Sequence, residues 1–336
     1  MRHESLYSVS IHGLPFTYPP FAALLFVPFE LMGSAGARWT LTVASIGCYA
    51  LVLVVCTRRL RMNLASAALV GLVGLTFEPF LRNILLGQIN IVLIALIVAD
   101  CFVVPARYRG ILIGLAAGIK LLPGVFILFL MLKRDWWAAL RCVAAFVATV
   151  AVGGVFAPRD SWEFWSGGFI NLSRFGSEAI IGGDNQSLSA AFMRLSRDLS
   201  PTPVLMLLLP VGVMALGVIA AKRQIESGND VAGLVCIAFG SLLASPISWT
   251  HHWVWAVLAL LVLVQSHRRI ASVVLGAVFA VGPMWFAPRL HFVELNQNWW
   301  QAAACASYVF VGLAFLIDRA LSPVTRKSVP VDAGRV

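Results

Sequence analysis

The sequence predicts an all-α, polytopic integral membrane protein, and three observations support this fold class. Of the 336 residues 60% are hydrophobic, only 12% are charged, and the mean hydropathy is +0.88. A soluble globular domain carries about twice that charged fraction. The basic residues recur in small clusters between apolar runs, as in membrane proteins that follow the positive-inside rule. These features exclude a water-soluble enzyme and a disordered chain, and they argue against nucleic acid as a partner despite the net charge of +10.

Long apolar runs bounded by charged or turn-forming residues predict the transmembrane helices. A span needs about 20 such residues. We expect helices at 39–57, 64–81, 89–104, 137–157, 203–221, 231–248, 253–266, 270–287 and 299–318. The run 20–32 is short for a span, so we expect it to be interfacial or re-entrant.

Residues 109–132 predict a helical hairpin rather than one span. A single span would put the basic clusters 107–109 and 133–134 on opposite sides, whereas two short helices that meet at 120–123 keep them on one side. Proline breaks helices, and a broken helix at membrane depth usually lines a cavity. With these two short helices, the sequence predicts about eleven transmembrane helices.

The basic clusters also predict the orientation of the chain. The loops that hold most of the 25 basic residues should face the cytoplasm. We expect residues 1–320 to form one transmembrane domain, in which 158–202 is a long outer loop, and residues 321–336 to form a cytoplasmic tail. The N-terminus would then lie outside, although residues 1–18 contain neither a signal peptide nor a span. We therefore expect that one N-terminal helix is missing and that the chain is truncated there.

Polar residues cluster in the predicted outer segments, which suits an enzyme with a membrane-borne substrate. The candidates are Tyr18, Glu78, Arg82, Gln88, Asn90, Lys120, Asn185, Gln186, Arg194, His251 and His252. Lys120 ranks first, because intramembrane charges are functional by default and it precedes a helix break. Plainer interpretations stay open for the others: Glu78 and Arg82 are spaced to form a helix-end ion pair, and the two histidines could be an interfacial pair.

The sequence lacks the motifs of nucleotide and metal sites. It has no Walker motif, no HExxH and no DxD, and its six cysteines have no partner at metal-binding spacing. A nucleotide-sugar enzyme normally needs a soluble domain, for which the apolar runs leave no room. We expect no cofactor and no metal.

Five motifs in register resemble glycosyltransferase family 87. They are Phe-Thr-Tyr-Pro-Pro at 16–20, Glu-Pro at 78–79 with Gly-Gln-Ile-Asn at 87–90, Gly-Ile-Lys-Leu-Leu-Pro at 118–123, Asp-Asn-Gln-Ser-Leu at 184–188 with Arg194, and Ser-Pro-Ile-Ser-Trp-Thr-His-His at 245–252. Proteins of this family are actinobacterial polyprenol-phosphate-mannose-dependent α-mannosyltransferases of the GT-C fold. The resemblance runs from about residue 14 to 255.

The resemblance implies transfer of mannose from a polyprenyl-phosphate donor to a glycolipid or lipoglycan acceptor at the outer face of the plasma membrane. The leaving group is a lipid phosphate, so cations should surround it. On the outer face these are Arg82, Lys120, Arg194, His251 and His252. The residues expected to shape the sugar or acceptor pocket are Tyr18, Gln88, Asn90, Asn185 and Gln186.

The catalytic base is where this chain departs from the family. The family implies an aspartate upstream of the Tyr-Pro-Pro element, but Glu4 is the only acidic residue before Tyr18. This absence agrees with the expected missing helix, and it leaves Glu78 or Glu4 as fallback bases. A start at Met1 would imply weak or no catalysis, as in an inactive truncated paralogue.

Two other function classes stay open from the sequence. An arabinofuranosyl- or glucosyltransferase that uses another polyprenyl-phosphate sugar would present the same pattern. A lipid-glycan flippase or transporter should instead carry polar groups through the depth of a central path. Here they crowd the outer ends of the helices, which favours an enzyme.

Overall fold

The computed structural model describes residues 5–8, 10–11, 14–171, 175–289 and 291–323. The predicted fallback base Glu4 and most of the predicted tail lie outside these ranges. Apart from the two-residue strands β1 (Ser10–Ile11) and β2 (Leu14–Pro15), the regular structure in these ranges is helical, which confirms the predicted class. The α-helices are α1 Pro20–Leu31, α2 Gly33–Arg59, α3 Leu64–Leu75, α4 Glu78–Leu85, α5 Asn90–Phe102, α6 Ile111–Ile119, α7 Ile127–Leu132, α8 Trp136–Phe156, α9 Pro158–Trp165, α10 Gly176–Ile181, α11 Leu188–Ser196, α12 Pro203–Glu226, α13 Asp230–Ala244, α14 Ala256–Gln265, α15 Arg269–Val281, α16 Trp299–Cys305 and α17 Ser307–Leu321. The 3₁₀ helices are Leu122–Phe126, Gly168–Ile170, Thr250–Trp255, Pro283–Phe286 and Val293–Asn296.

Three helices of the described chain, α2, α8 and α12, are long and apolar enough to cross a membrane. The pairs α3–α4 and α16–α17 would each add a span if counted together, although they bend by 54° and 66°. The other apolar helices are shorter, from 10 to 17 residues. The chain is therefore a polytopic membrane protein with three to five evident spans, and the larger count of eleven stays a prediction.

Several predicted helices are continuous in hydropathy but broken in structure. The run 64–81 is split between α3 and α4, where Pro79 lies in the first turn of α4. The run 299–318 is split at Ala306, and the run 253–266 begins within the 3₁₀ helix Thr250–Trp255. The break at Thr250–Trp255 carries His251 and His252, so there irregular backbone lines a cavity.

Residues 109–132 form the predicted hairpin. Its arms are α6 and the 3₁₀ helix Leu122–Phe126 continued by α7, and Lys120 lies between them in extended conformation. The two ends of the hairpin lie close together, as shown by the distance of 3.0 Å between Arg109 Nη1 and Asp135 Oδ2. The arm α6 packs closely on α8: a Cβ at Gly118 would lie 2.1 Å from Thr149 Oγ1.

The basic clusters gather at one end of the molecule, which we call the basic end and define by its ion pairs. These pairs are Arg109–Asp135, Lys133–Asp230 and Arg268–Asp318. The helix α5 leads from this end, where Asp100 accepts hydrogen bonds from the backbone of Gly110 and Ile113, to the opposite end at Asn90. Thirteen helical residues separate the ends by about 20 Å.

The centre of the fold is the pair α13 and α14, whose side chains are almost all buried. The helix α12 covers α13, and their backbones touch where Gly217 faces Gly240. By contrast, only 22% of the residues in the apolar stretch of each of the helices α2, α8 and α12 are buried. Their exposed apolar side chains suit contact with lipid.

Candidate active site

A cavity of about 310 Å³ lies at the end opposite to the basic end. Its walls come from the segment before α1, the loop between α4 and α5, the tip of the hairpin, the end of α9 and the region after it, and the loop 245–252. The lining residues are Pro15, Phe16, Thr17, Tyr18, Gln88, Lys120, Leu121, Leu122, Phe164, Phe169, Phe175, Ser245, Pro246, Ile247, Trp249, His251 and His252. Five predicted candidates therefore meet here, although they lie far apart in sequence.

Lys120 is the single lysine, arginine or carboxylate among these lining residues. Its Nζ donates to Asn90 Oδ1 at 2.8 Å, lies 3.1 Å from His252 Nε2, and lies 5.4 Å from the centre of the Tyr18 ring. No carboxylate neutralises it in this set of contacts. A cation held by neutral partners in an apolar protein is suited to binding an anion.

Neutral amides hold the hairpin tip in place. Asn90 Nδ2 donates to the His251 carbonyl at 3.0 Å and to Asn83 Oδ1 at 3.1 Å, while its Oδ1 faces Lys120. On the other side, the Tyr18 hydroxyl donates to Gln88 Oε1 at 2.9 Å. Burial raises the pKa of Tyr18 to about 12, so this phenol stays protonated at physiological pH. The predicted Tyr18, Gln88 and Asn90 thus belong to one network with Lys120.

The two histidines offer hydrogen-bonding atoms that the described residues do not satisfy. Both side chains are buried, yet His251 Nε2 and His252 Nδ1 lack a partner among these residues. Because His252 Nε2 faces the Lys120 ammonium, it must accept, which puts the ring proton on Nδ1. Buried polar atoms are normally paired, so an unpaired N–H beside a cavity indicates a position for a ligand.

Asn185, Gln186 and Arg194 are fully or almost fully buried and do not line the cavity. Asn185 Oδ1 accepts from the Ser248 backbone at 2.8 Å, and its Nδ2 donates to the Pro246 carbonyl at 3.1 Å. These bonds position the loop 245–252, so Asn185 shapes the cavity indirectly.

Arg194 and Gln186 tie the same region to α16. The Arg194 guanidinium donates to the carbonyls of Ile181, Gly182, Asn185 and Cys305, and Gln186 Nε2 also donates to Cys305. Only Nε of the Arg194 guanidinium lacks a partner in the described chain. The structure thus separates Arg194 from Lys120 and His252, with which the sequence grouped it.

Glu78 and Arg82 also lie outside the cavity lining. Glu78 is buried and accepts hydrogen bonds from Thr250 at 2.8 Å, Trp285 at 2.8 Å and Tyr308 at 2.9 Å. Arg82 Nε lies 3.9 Å from Glu78 Oε1, as the ion-pair interpretation expects. Three donors already occupy the Glu78 carboxylate, so this geometry does not favour it as a base.

The aromatic wall was missed by reasoning from sequence. Phe164, Phe169, Phe175 and Trp249 line the cavity, and the Trp249 ring lies 5.9 Å from that of His251. In a chain with 21 phenylalanines and 11 tryptophans, the composition could not distinguish these aromatic residues from lipid-facing ones. Trp249 was the exception, since it lies inside the motif 245–252.

The described residues contain no group of three or more His, Cys, Asp and Glu side chains arranged to hold a metal ion. The cavity instead offers one cation, two histidines, an amide, a phenol and aromatic faces. This combination suits an anionic group with a sugar attached, because aromatic walls with a few placed polar groups are typical of small-ligand sites.

Comparisons with known proteins agree with this chemistry. The chain is 34% identical to a protein of Mycobacterium tuberculosis named polyprenol-phosphate-mannose-dependent alpha-(1-2)-phosphatidylinositol mannoside mannosyltransferase, over 94% of this chain and 78% of that protein. A Mycolicibacterium smegmatis protein of the same name is 33% identical, over 90% of this chain and 75% of its own length. Another from that organism, named a phosphatidylinositol pentamannoside mannosyltransferase with the same donor and linkage, is 32% identical over 90% and 76%.

No solved structure matches the chain. The family model for glycosyltransferase family 87 matches residues 16–246, which include the hairpin and most of the cavity lining. Because this match covers more than half of the sequence, the chain belongs to glycosyltransferase family 87.

Proposed function

We propose that this glycosyltransferase transfers mannose from a polyprenyl-phosphate donor to a phosphatidylinositol mannoside. The names of the relatives specify this donor class, this acceptor class and an α-(1-2) linkage. The observation that carries the proposal is the Lys120 ammonium beside His252 in a cavity without a carboxylate. Such a site suits a phosphate bound to a lipid, with no need for a nucleotide.

The reaction breaks the bond between the anomeric carbon of mannose and the phosphate oxygen. An acceptor hydroxyl attacks that carbon, its proton passes to solvent, and the polyprenyl phosphate departs with one additional negative charge. Lys120 faces the departing phosphate, and the His252 Nδ1–H donates to it. Fixed charge aimed at developing charge is usually the largest contribution to catalysis. The Trp249 ring and the phenylalanines form the wall for the sugar.

The activity test uses the purified full chain with a labelled, short-chain polyprenyl-phosphate mannose and a phosphatidylinositol mannoside. We expect a mannosylated lipid whose amount depends on both substrates, and no product from a nucleotide-linked mannose. The matched donors carry glucose or arabinofuranose on the same lipid phosphate. If one of these donors gave product and the mannose donor gave none, the transferred sugar would be glucose or arabinofuranose instead of mannose. Transport of the lipid-linked sugar without any product would favour a flippase.

We further propose that the cavity opens at the outer face of the plasma membrane and that the basic end is cytoplasmic. The distribution of charge supports this orientation through the positive-inside rule. Single cysteines at Asp184 and Lys222 test it, because these positions lie on opposite sides in the proposal. A membrane-impermeant thiol reagent should label the first in intact cells, and the second only after lysis. External labelling at 222 would contradict the orientation.

A further inference from the structure

A polar cavity of about 570 Å³ lies at the basic end and gathers arginines from separate parts of the chain. Arg59 and Arg61 come from the end of α2 and the turn that follows it, Arg268 from the turn before α15, and Arg319 from α17. The turn between α12 and α13 forms the opposite wall. This cavity is distinct from the candidate active site and shares no lining residue with it.

Nearby carboxylates neutralise only part of this charge. Asp318 forms ion pairs with both Arg268, at 3.0 Å, and Arg319. Asp230 also lines the cavity, but it already pairs with Lys133 at 2.9 Å. One carboxylate therefore serves two guanidinium groups, and the other is matched by a lysine.

Two arginines retain unused donors. Arg59 donates to the carbonyl of Phe102, which leaves other N–H groups of its guanidinium available. The Arg61 side chain is exposed and forms no ion pair or hydrogen bond within the part of the chain that the structure describes. The positive-inside rule explains basic residues at this face but does not require four arginines to converge on one cavity.

We propose that this cavity binds a phosphate group at the membrane face opposite to the transfer reaction. The planar guanidinium fork matches phosphate oxygens, and basic pockets between helices on the cytoplasmic side are typical sites for anionic lipid headgroups. The volume leaves room for a headgroup beyond the phosphate itself. The phosphate belongs either to an anionic phospholipid or to a soluble phosphate, and the two sources are separable by experiment.

The test measures ligand binding to the purified full chain, independently of mannose transfer. Native mass spectrometry in neutral detergent compares phosphatidylglycerol with phosphatidylcholine, and calorimetry titrates inorganic phosphate at fixed ionic strength. Arg61→Gln should raise the dissociation constant of the ligand that binds about tenfold, which is the usual effect of losing one charge-assisted hydrogen bond. Arg134→Gln is the matched control: both arginines are exposed, both follow a helix at the basic end with positive φ (53° and 57°), and Arg134 lies outside the cavity lining.

The outcomes are distinct. Preferential retention of phosphatidylglycerol that Arg61→Gln reduces and Arg134→Gln does not would support a lipid headgroup. Binding of inorganic phosphate alone, with the same dependence on the variants, would support a soluble phosphate. Equal retention of both lipids without phosphate binding, or equal effects of the two variants, would overturn the proposal.

Discussion

Replacement of Lys120 by methionine tests the central assignment, because it removes the one formal charge from the cavity lining and keeps a long side chain. The phosphate gains about one negative charge when its bond to mannose breaks. Two unit charges 4 Å apart interact by about 4 kcal/mol at an effective dielectric constant of 20. Part of this is already present with the bound donor, so we expect turnover to fall by about 10² to 10³, as when one donor to a developing anion is removed.

The assay is the steady-state transfer of labelled mannose, with kcat and KM for the donor measured separately. Because the charge develops on the way to the transition state, kcat should fall more than KM rises. Lys222→Met is the control: this lysine is exposed and pairs with Glu226 at 3.9 Å on α12. Thermal unfolding of both variants checks that the loss of the Lys120–Asn90 hydrogen bond has not unfolded the hairpin. A Lys120→Met enzyme with turnover within about tenfold of the parent would refute the reasoning, since a cation that faces developing charge contributes more.

Three further predictions concern the wall, the loop and the core. Trp249→Ala should raise the donor KM and lower turnover, because its ring packs on His251 in the cavity wall; Trp162→Ala, an exposed tryptophan on α9, should leave steady-state kinetics unchanged. Arg194→Met should lower the unfolding temperature by several degrees, since it removes four hydrogen bonds to buried carbonyls and leaves those of Ile181 and Asn185 without their side-chain donor; a stable variant with lost donor binding would instead favour the phosphate role. Gly217→Leu should destabilise the protein, because a Cβ there would lie 2.9 Å from the neighbouring helix backbone, whereas Gly212→Leu on the same helix meets open space. Equal melting temperatures for the two glycine variants would contradict this packing.

The sequence predicted the helical class and the hairpin, and it singled out the candidate residues that meet at the cavity, because each has a local physical signal. Lys120 interrupts an apolar run before a proline, and His251 and His252 stand in a motif between two such runs. These residues must be paired or functional wherever the helices pack, so their importance could be inferred without the fold.

Roles that depend on tertiary contacts could not be inferred in this way. Arg194 and Asn185 are polar residues in an outer segment like the others, and only the structure shows that backbone carbonyls occupy most of their donors. The breaks near Phe77 and Ala306 were missed because each bent pair of helices is apolar enough to be one span by composition, so that hydropathy does not reveal the bend.

The hairpin has a consequence for how substrates are selected. Both of its arms start at the basic end, so the height of Lys120 above that face is set by the nine residues of α6, about 14 Å. The apolar core of a bilayer is about 30 Å thick. With the membrane orientation proposed above, the ammonium would lie below the outer surface of this layer. A water-soluble sugar phosphate would have to enter apolar surroundings to reach it, whereas a phosphate with a long hydrocarbon chain would be drawn there by its own tail. Under that orientation, the protein would select donors by their lipid chain before any contact with the sugar is made.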